Sequence, residues 1–198
     1  MIKCILFDVD GVLTLPEEIF SVYYAKSQGL DIKPFEYFFK NQWHSIVTGK
    51  KDLIKSIESK PELWRWNGST EDLLKYWFKA EDKQNKKLLK TISIIKEKGT
   101  PCYVATDQEK YRTNYIKNVM FKDLFNGYFS SCEIGFTKND LRFYEFIINE
   151  LKIKDPNLLP EEIMFFDVSQ YKVDTARKVG INARLYKSNE QIISLFNL

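Results

Sequence analysis

Two carboxylates stand two residues apart, Asp8 and Asp10, where the apolar run Cys4-Ile5-Leu6-Phe7 stops. An ionised carboxylate can attack an electrophile or carry a proton at neutral pH, so the pair is a candidate for covalent or acid–base catalysis. Acids at such a place also serve as a helix N-cap and a turn residue. Three further polar positions fall at or near the ends of later apolar stretches: Thr106-Asp107 after Pro101 to Ala105, Lys138 within Gly135 to Asp140, and Asp167 after Ile163 to Phe166. Each has an ordinary reading of its own. Thr106-Asp107 could cap a helix beginning near Gln108, Lys138 could be a surface lysine and Asp167 another cap.

The elements that would bring these residues together follow from the hydrophobic pattern. A run of Cys, Ile, Leu and Phe without polar alternation reads as a strand buried on both faces, as in a parallel sheet with helices above and below. In open α/β sheets ligands bind in the crevice beyond the carboxyl ends of the strands, which is where Asp8 and Asp10 fall. Gly11 then lets the chain turn tightly beside them. Leu88, Leu89, Ile92 and Ile95 form an apolar stripe opposite Lys83, Lys86, Lys87 and Lys90, with Gly99 as the helix stop. Phe143 to Leu151 also looks helical, as does Lys172 to Val179 before Gly180, and Ala183 to Tyr186 reads as a last strand. The alternation predicts an α/β fold, a doubly wound parallel sheet.

Residues 15–81 interrupt that alternation. They are rich in aromatics and carry helical spacings such as Phe35, Phe38, Phe39 and Leu53, Ile54, Ile57, while Ser69-Thr70-Glu71-Asp72 has the letters of a capped helix start. A small bundle of helices inserted after the first strand is expected, with most of its aromatics packing the insertion itself. At 198 residues, 44% hydrophobic and 15% aromatic, the chain can bury a sizeable core and a modest insertion. The 30 basic side chains outnumber the 27 acidic ones by too little, and too evenly, to suggest a nucleic-acid partner. Cys4, Cys102 and Cys132 are far apart and two lie in or beside apolar runs, as buried thiols do in a reducing compartment. The run after Met1 is too short for a signal segment and no later stretch approaches a membrane span, so a cytoplasmic protein without a membrane partner is expected.

Asp8-Val9-Asp10-Gly11-Val12 resembles the first motif of the haloacid dehalogenase superfamily, most of whose members are phosphatases. Thr106, Lys138 and Asp167 are similar to the functional residues of its second, third and fourth motifs, in order, over residues 5–169. The resemblance implies a Rossmann-like catalytic core over 1–14 and 82–198 and a helical cap over 15–81. It implies that Asp8 attacks phosphorus and that Asp10 protonates the leaving group and later activates water. Thr106 and Asp107 would bind the substrate phosphate together with Lys138, and Mg²⁺ would be held by Asp8, the main-chain carbonyl of Asp10 and Asp167. A small phosphorylated metabolite is the implied substrate, a sugar phosphate the natural expectation.

Two departures from the family pattern bear on that reading. Val168 stands where a second acid usually follows the first in the fourth motif, and it has no oxygen to offer a metal. Asn139 follows Lys138 where a Pro is common, a milder change. Asp174, seven residues after Asp167 and inside the helix expected next, is poorly placed to substitute. Val168 leaves open a weakly active relative that binds a phosphorylated ligand or a protein partner, and a phosphomutase would share every motif. His44, the only histidine, has no partner at recognisable spacing, and a packing or surface role is expected. Trp64-Arg65-Trp66 could present an arginine between aromatic walls or be two core tryptophans flanking a solvated arginine.

Overall fold

The computed structural model describes residues 1–196. Strand β1 (Cys4–Phe7) is followed by helices α1 (Phe20–Gln28), α2 (Lys33–Val47), α3 (Leu53–Glu58), α4 (Pro61–Trp64) and α5 (Thr70–Glu81). The chain then runs through α6 (Lys86–Glu97), β2 (Cys102–Thr106), α7 (Lys110–Tyr115) with a π-helical turn at Ile116–Met120, and β3 (Tyr128–Ser130). It ends with α8 (Ser131–Ile134), α9 (Leu141–Lys154), β4 (Ile163–Asp167), α10 (Gln170–Lys178), β5 (Asn182–Leu185) and α11 (Asn189–Phe196). All strands pair in parallel in the order β3-β2-β1-β4-β5. This is the doubly wound α/β sheet expected from the sequence, with β1 at its centre.

Burial on both faces explains the unbroken apolar runs. Ile5, Phe7, Val104 and Phe166 point into one layer with α6 and the π-helical turn, while Leu6, Tyr103, Ala105 and Phe165 point into the other with α9 and α10. The inserted helices have a core of their own in which Phe20, Tyr24, Phe35, Trp64 and Trp77 pack together. Trp64 is buried there and Arg65 faces solvent, so the tryptophan belongs to the core and the arginine is solvated. His44 lies exposed on α2. Ser69 caps α5 by accepting a hydrogen bond from the Asp72 N–H at 3.1 Å, as its letters suggested.

Insertion and sheet meet closely after α2. The Ser131 hydroxyl donates to the Val47 carbonyl at 2.7 Å, and a Cβ on Gly49 would lie 2.6 Å from the Cys132 carbonyl oxygen. Gly49 also has φ +72°, so both the contact and the backbone require glycine there. Cys4 and Cys102 are buried and unbridged, and burial pushes both thiols up to about 12. Among the described residues no helix is long and apolar enough to cross a membrane.

Candidate active site

Parallel register assembles the site. Phe7 pairs with Phe166, so the next residues, Asp8 and Asp167, emerge side by side from adjacent strand ends. Lys138, on the loop before α9, reaches between them: its Nζ lies 2.5 Å from Asp8 Oδ1 and donates to Asp167 Oδ2 at 2.7 Å. Lys138 and Asp167 are wholly buried and Asp8 nearly so. The Val9 N–H donates to Asp8 Oδ1 and the Ser169 N–H to Asp167 Oδ1, each at 2.8 Å, which fixes both carboxylates. Thr106 ends β2 alongside, and its buried Oγ1 has no hydrogen-bond partner. A buried hydroxyl without a partner is costly, so the atom is poised for a ligand oxygen.

Burial sets the electrostatics. It pushes the Asp8 carboxyl upward, with the Asp167 charge adding and Lys138 opposing. Burial alone would lower Lys138, but Asp8, Asp167 and Asp107 outweigh it and hold the ammonium above its ordinary range. Asp167 would likewise rise on burial, yet Lys138 and Lys172 keep it below the usual carboxylate range.

Asp107 and Asp10 have different surroundings from Asp8. The Lys138 N–H donates to Asp107 Oδ1 at 2.8 Å and Lys172 Nζ lies 2.9 Å from Oδ2, so both oxygens are engaged in seating the Lys138 loop. Asp107 therefore does not cap the helix that follows. That helix starts at Lys110, and Glu109 caps it by accepting from the N–H groups of Tyr111 and Arg112. The Asp10 carboxylate and Asp107 both line a cavity of about 580 Å³. Gln108 Nε2 donates to Asp10 Oδ2 at 2.6 Å and Arg112 Nη2 to Asp10 Oδ1 at 2.8 Å. Arg112 pairs on its other side with Glu81 at the end of α5, joining the sheet side of the cavity to the inserted helices.

Sequence reasoning did not single out Gln108, Arg112 or Lys172. Gln108 follows directly on Thr106-Asp107 and Arg112 lies in the helix just beyond, and that proximity was the signal available. Val168 is 46% exposed and packs on Gly11, where a Cβ would lie 3.1 Å from its Cγ1 and φ is +82°. Asp174 is tied to Gln170 and Arg177 on its own helix. The described residues contain no cluster of three or more acidic, histidine or cysteine side chains fit to hold a metal. A magnesium ion needs fewer: it is commonly bound by one or two carboxylates, with water and substrate phosphate completing the shell. Asp8 and Asp167 meet that requirement, since among the described residues Asp8 Oδ2 is engaged by no donor while Oδ1 takes the Val9 N–H and Lys138.

A doubly wound parallel sheet thus carries, at its carboxyl edge, a lysine bridging two buried carboxylates, with the inserted helices packed beside that edge. The sequence model of the haloacid dehalogenase-like hydrolases matches residues 2–180, and the chain belongs to that family. A haloacid dehalogenase family enzyme from Bacteroides thetaiotaomicron, solved with magnesium and inorganic phosphate, is 17% identical with a TM-score of 0.77, covering 99% of this chain and 100% of that one. A predicted hydrolase of the same family from Porphyromonas gingivalis is 18% identical with a TM-score of 0.73 over 100% and 97% of the two chains. A phosphatase of this class from Thermococcus onnurineus is 17% identical with a TM-score of 0.64 over 98% of each. No curated protein matches the chain.

Proposed function

We propose that this hydrolase is a magnesium-dependent phosphatase of a small phosphorylated metabolite, with residues 15–81 acting as a cap over its site. The observation that carries the reading is Lys138 bridging Asp8 and Asp167 beside the unpartnered Thr106 hydroxyl. The magnesium and phosphate bound by the Bacteroides relative support it. Unbridged, buried Cys4 and Cys102 fit the reducing cytoplasm as its compartment.

Phosphoryl transfer needs a nucleophile, an acid for the leaving oxygen and positive charge on the equatorial oxygens. Asp8 attacks phosphorus and forms an aspartyl-phosphate, dividing one displacement into two. Asp10, at the floor of the cavity, gives its proton to the departing alkoxide and takes one from the water that hydrolyses the intermediate. Gln108 and Arg112 hold it in place for both. The Thr106 hydroxyl accommodates a phosphate oxygen, and Lys138 neutralises charge shared between phosphate and nucleophile. Asp107 positions Lys138 through its main-chain N–H. Asp8, Asp167 and the Asp10 main-chain carbonyl would hold Mg²⁺, which when bound draws negative charge off the phosphoryl oxygens.

Phosphate release from a generic aryl phosphate, with and without Mg²⁺ and beside Asp8→Asn, tests the reading. Metal-dependent turnover lost in the variant is expected. Val168 favours a second reading, a phosphate-ligand binder with little turnover, and an absence of release under any divalent metal would select it.

A further inference from the structure

The cavity over Asp10 and Asp107 is where a leaving group would sit, and its lining favours one chemical kind. Phe39 and Trp43 of α2 line it together with Trp77 and Phe78 of α5. Trp43 stacks on Trp77 with centroids 6.1 Å apart and 23° between planes, and Phe39 meets Trp77 edge-on at 5.8 Å. The result is a fixed aromatic wall, because three rings brace one another.

Polar groups near this wall are already engaged. The oxygens of Glu81 accept from the Phe20 N–H at 2.8 Å and from Trp77 Nε1 at 2.9 Å, and the same carboxylate pairs with Arg112. Glu109 is spent on the start of α7, and Gln108 Nε2 on Asp10. Glu36 and Lys40 are exposed at the rim. Among the described residues the Ser21 hydroxyl on the lining remains available, while Arg112 Nε, though unpartnered, is buried. A sugar entering here would give up water at several hydroxyls and find partners for few of them, which disfavours it. A flat apolar group has no such loss and gains contact with the rings.

We propose that the substrate is a phosphate monoester whose alcohol carries a flat, aromatic-sized apolar group, in place of the sugar phosphate that the family resemblance suggests. This rests on the phosphatase reading. The reaction is unchanged: the ester P–O bond breaks, the alcohol leaves with the proton from Asp10, and water supplies the new P–O bond and restores that proton.

The test compares kcat/KM for 2-phenylethyl phosphate and glucose 6-phosphate with Mg²⁺ present. Both release a primary alkyl alcohol, so the comparison reads the pocket and not leaving-group acidity. The aryl-alkyl ester is expected to win by at least about tenfold, chiefly through KM. Trp43→Ala, with Phe39→Leu as a gentler second variant, should narrow that ratio. Equal or better hydrolysis of the sugar phosphate, with Asp8-dependent release intact, overturns the inference and leaves the phosphatase reading standing. If neither ester yields phosphate in an Asp8-dependent manner, the phosphatase reading itself falls.

Discussion

Replacing Lys138 by Met removes one charge from a buried group of charges and keeps all but the last atom of the side chain's length. Lys138 Nζ lies 2.5 Å from Asp8 Oδ1 and 2.7 Å from Asp167 Oδ2, and neither Lys138 nor Asp167 has any exposed surface. The variant leaves Asp8 and Asp167 with Lys172 as the remaining nearby positive charge, and removing one partner of a buried ion pair costs about 3–5 kcal/mol. At ~2–4 °C per kcal/mol for a chain of this size, the melting temperature should fall by roughly 10 °C. Adding Asp167→Asn to the variant removes one of the stranded charges, so the double variant should recover part of the loss, with a coupling on the order of 1–3 kcal/mol. Urea titrations of the four proteins at pH 7.5, without added divalent metal, measure every side of that cycle. A loss below about 1 kcal/mol for Lys138→Met, or strict additivity with Asp167→Asn, would refute the claim that this ammonium neutralises both carboxylates.

Glu109 supplies a pH dependence. Burial pushes its carboxyl up from 4.5 to about 7, against the pull of the Tyr111 and Arg112 N–H groups. A raised carboxyl stabilises the fold fully below its unfolded pKa and loses that contribution as pH rises through 7, so the protein should weaken relative to Glu109→Gln between pH 5 and 8, by at most about 3 kcal/mol; parallel stability profiles would exclude it. Val168 is half-exposed beside Gly11, so an acid there meets little desolvation cost, and Val168→Asp should tighten Mg²⁺ binding by about tenfold in calorimetry. An unchanged affinity would remove position 168 from the metal's surroundings.

The strand ends were readable because a parallel strand covered on both faces must be apolar throughout, and the first polar letter then marks its carboxyl end. Parallel register did the rest, bringing Asp8 level with Asp167 from 159 residues apart without any local signal linking them. What escaped the sequence lies where tertiary partners decide. β3 is three residues long, too short to show a period. Asp107 looks like a helix cap in sequence, but Lys138 and Lys172 claim both of its oxygens, and the cap falls two residues later to Glu109. Arg112 finds Asp10 and Glu81 from a helix too short to display a polar face. The aromatics of the insertion were expected to pack among themselves, and Trp64 does. Helical spacing alone does not separate it from Phe39 and Trp43, one turn apart on α2, which line the cavity over Asp10.

Charge around the site argues for the order in which ligands bind. Asp8, Asp107 and Asp167 face Lys138 and Lys172, three carboxylates against two ammonium groups, and Asp10 adds an acid whose arginine is shared with Glu81. The pocket is therefore net negative before anything enters, and in a buried site like charges repel strongly because little solvent screens them. A phosphate dianion approaching alone meets that repulsion. Mg²⁺ held by Asp8 and Asp167 would cancel that excess and lift the repulsion. Phosphate binding followed by calorimetry should therefore be undetectable at millimolar concentration in a chelator and appear on adding Mg²⁺. Equal affinity in both conditions would mean that Lys138 and the Thr106 hydroxyl alone suffice to hold the anion.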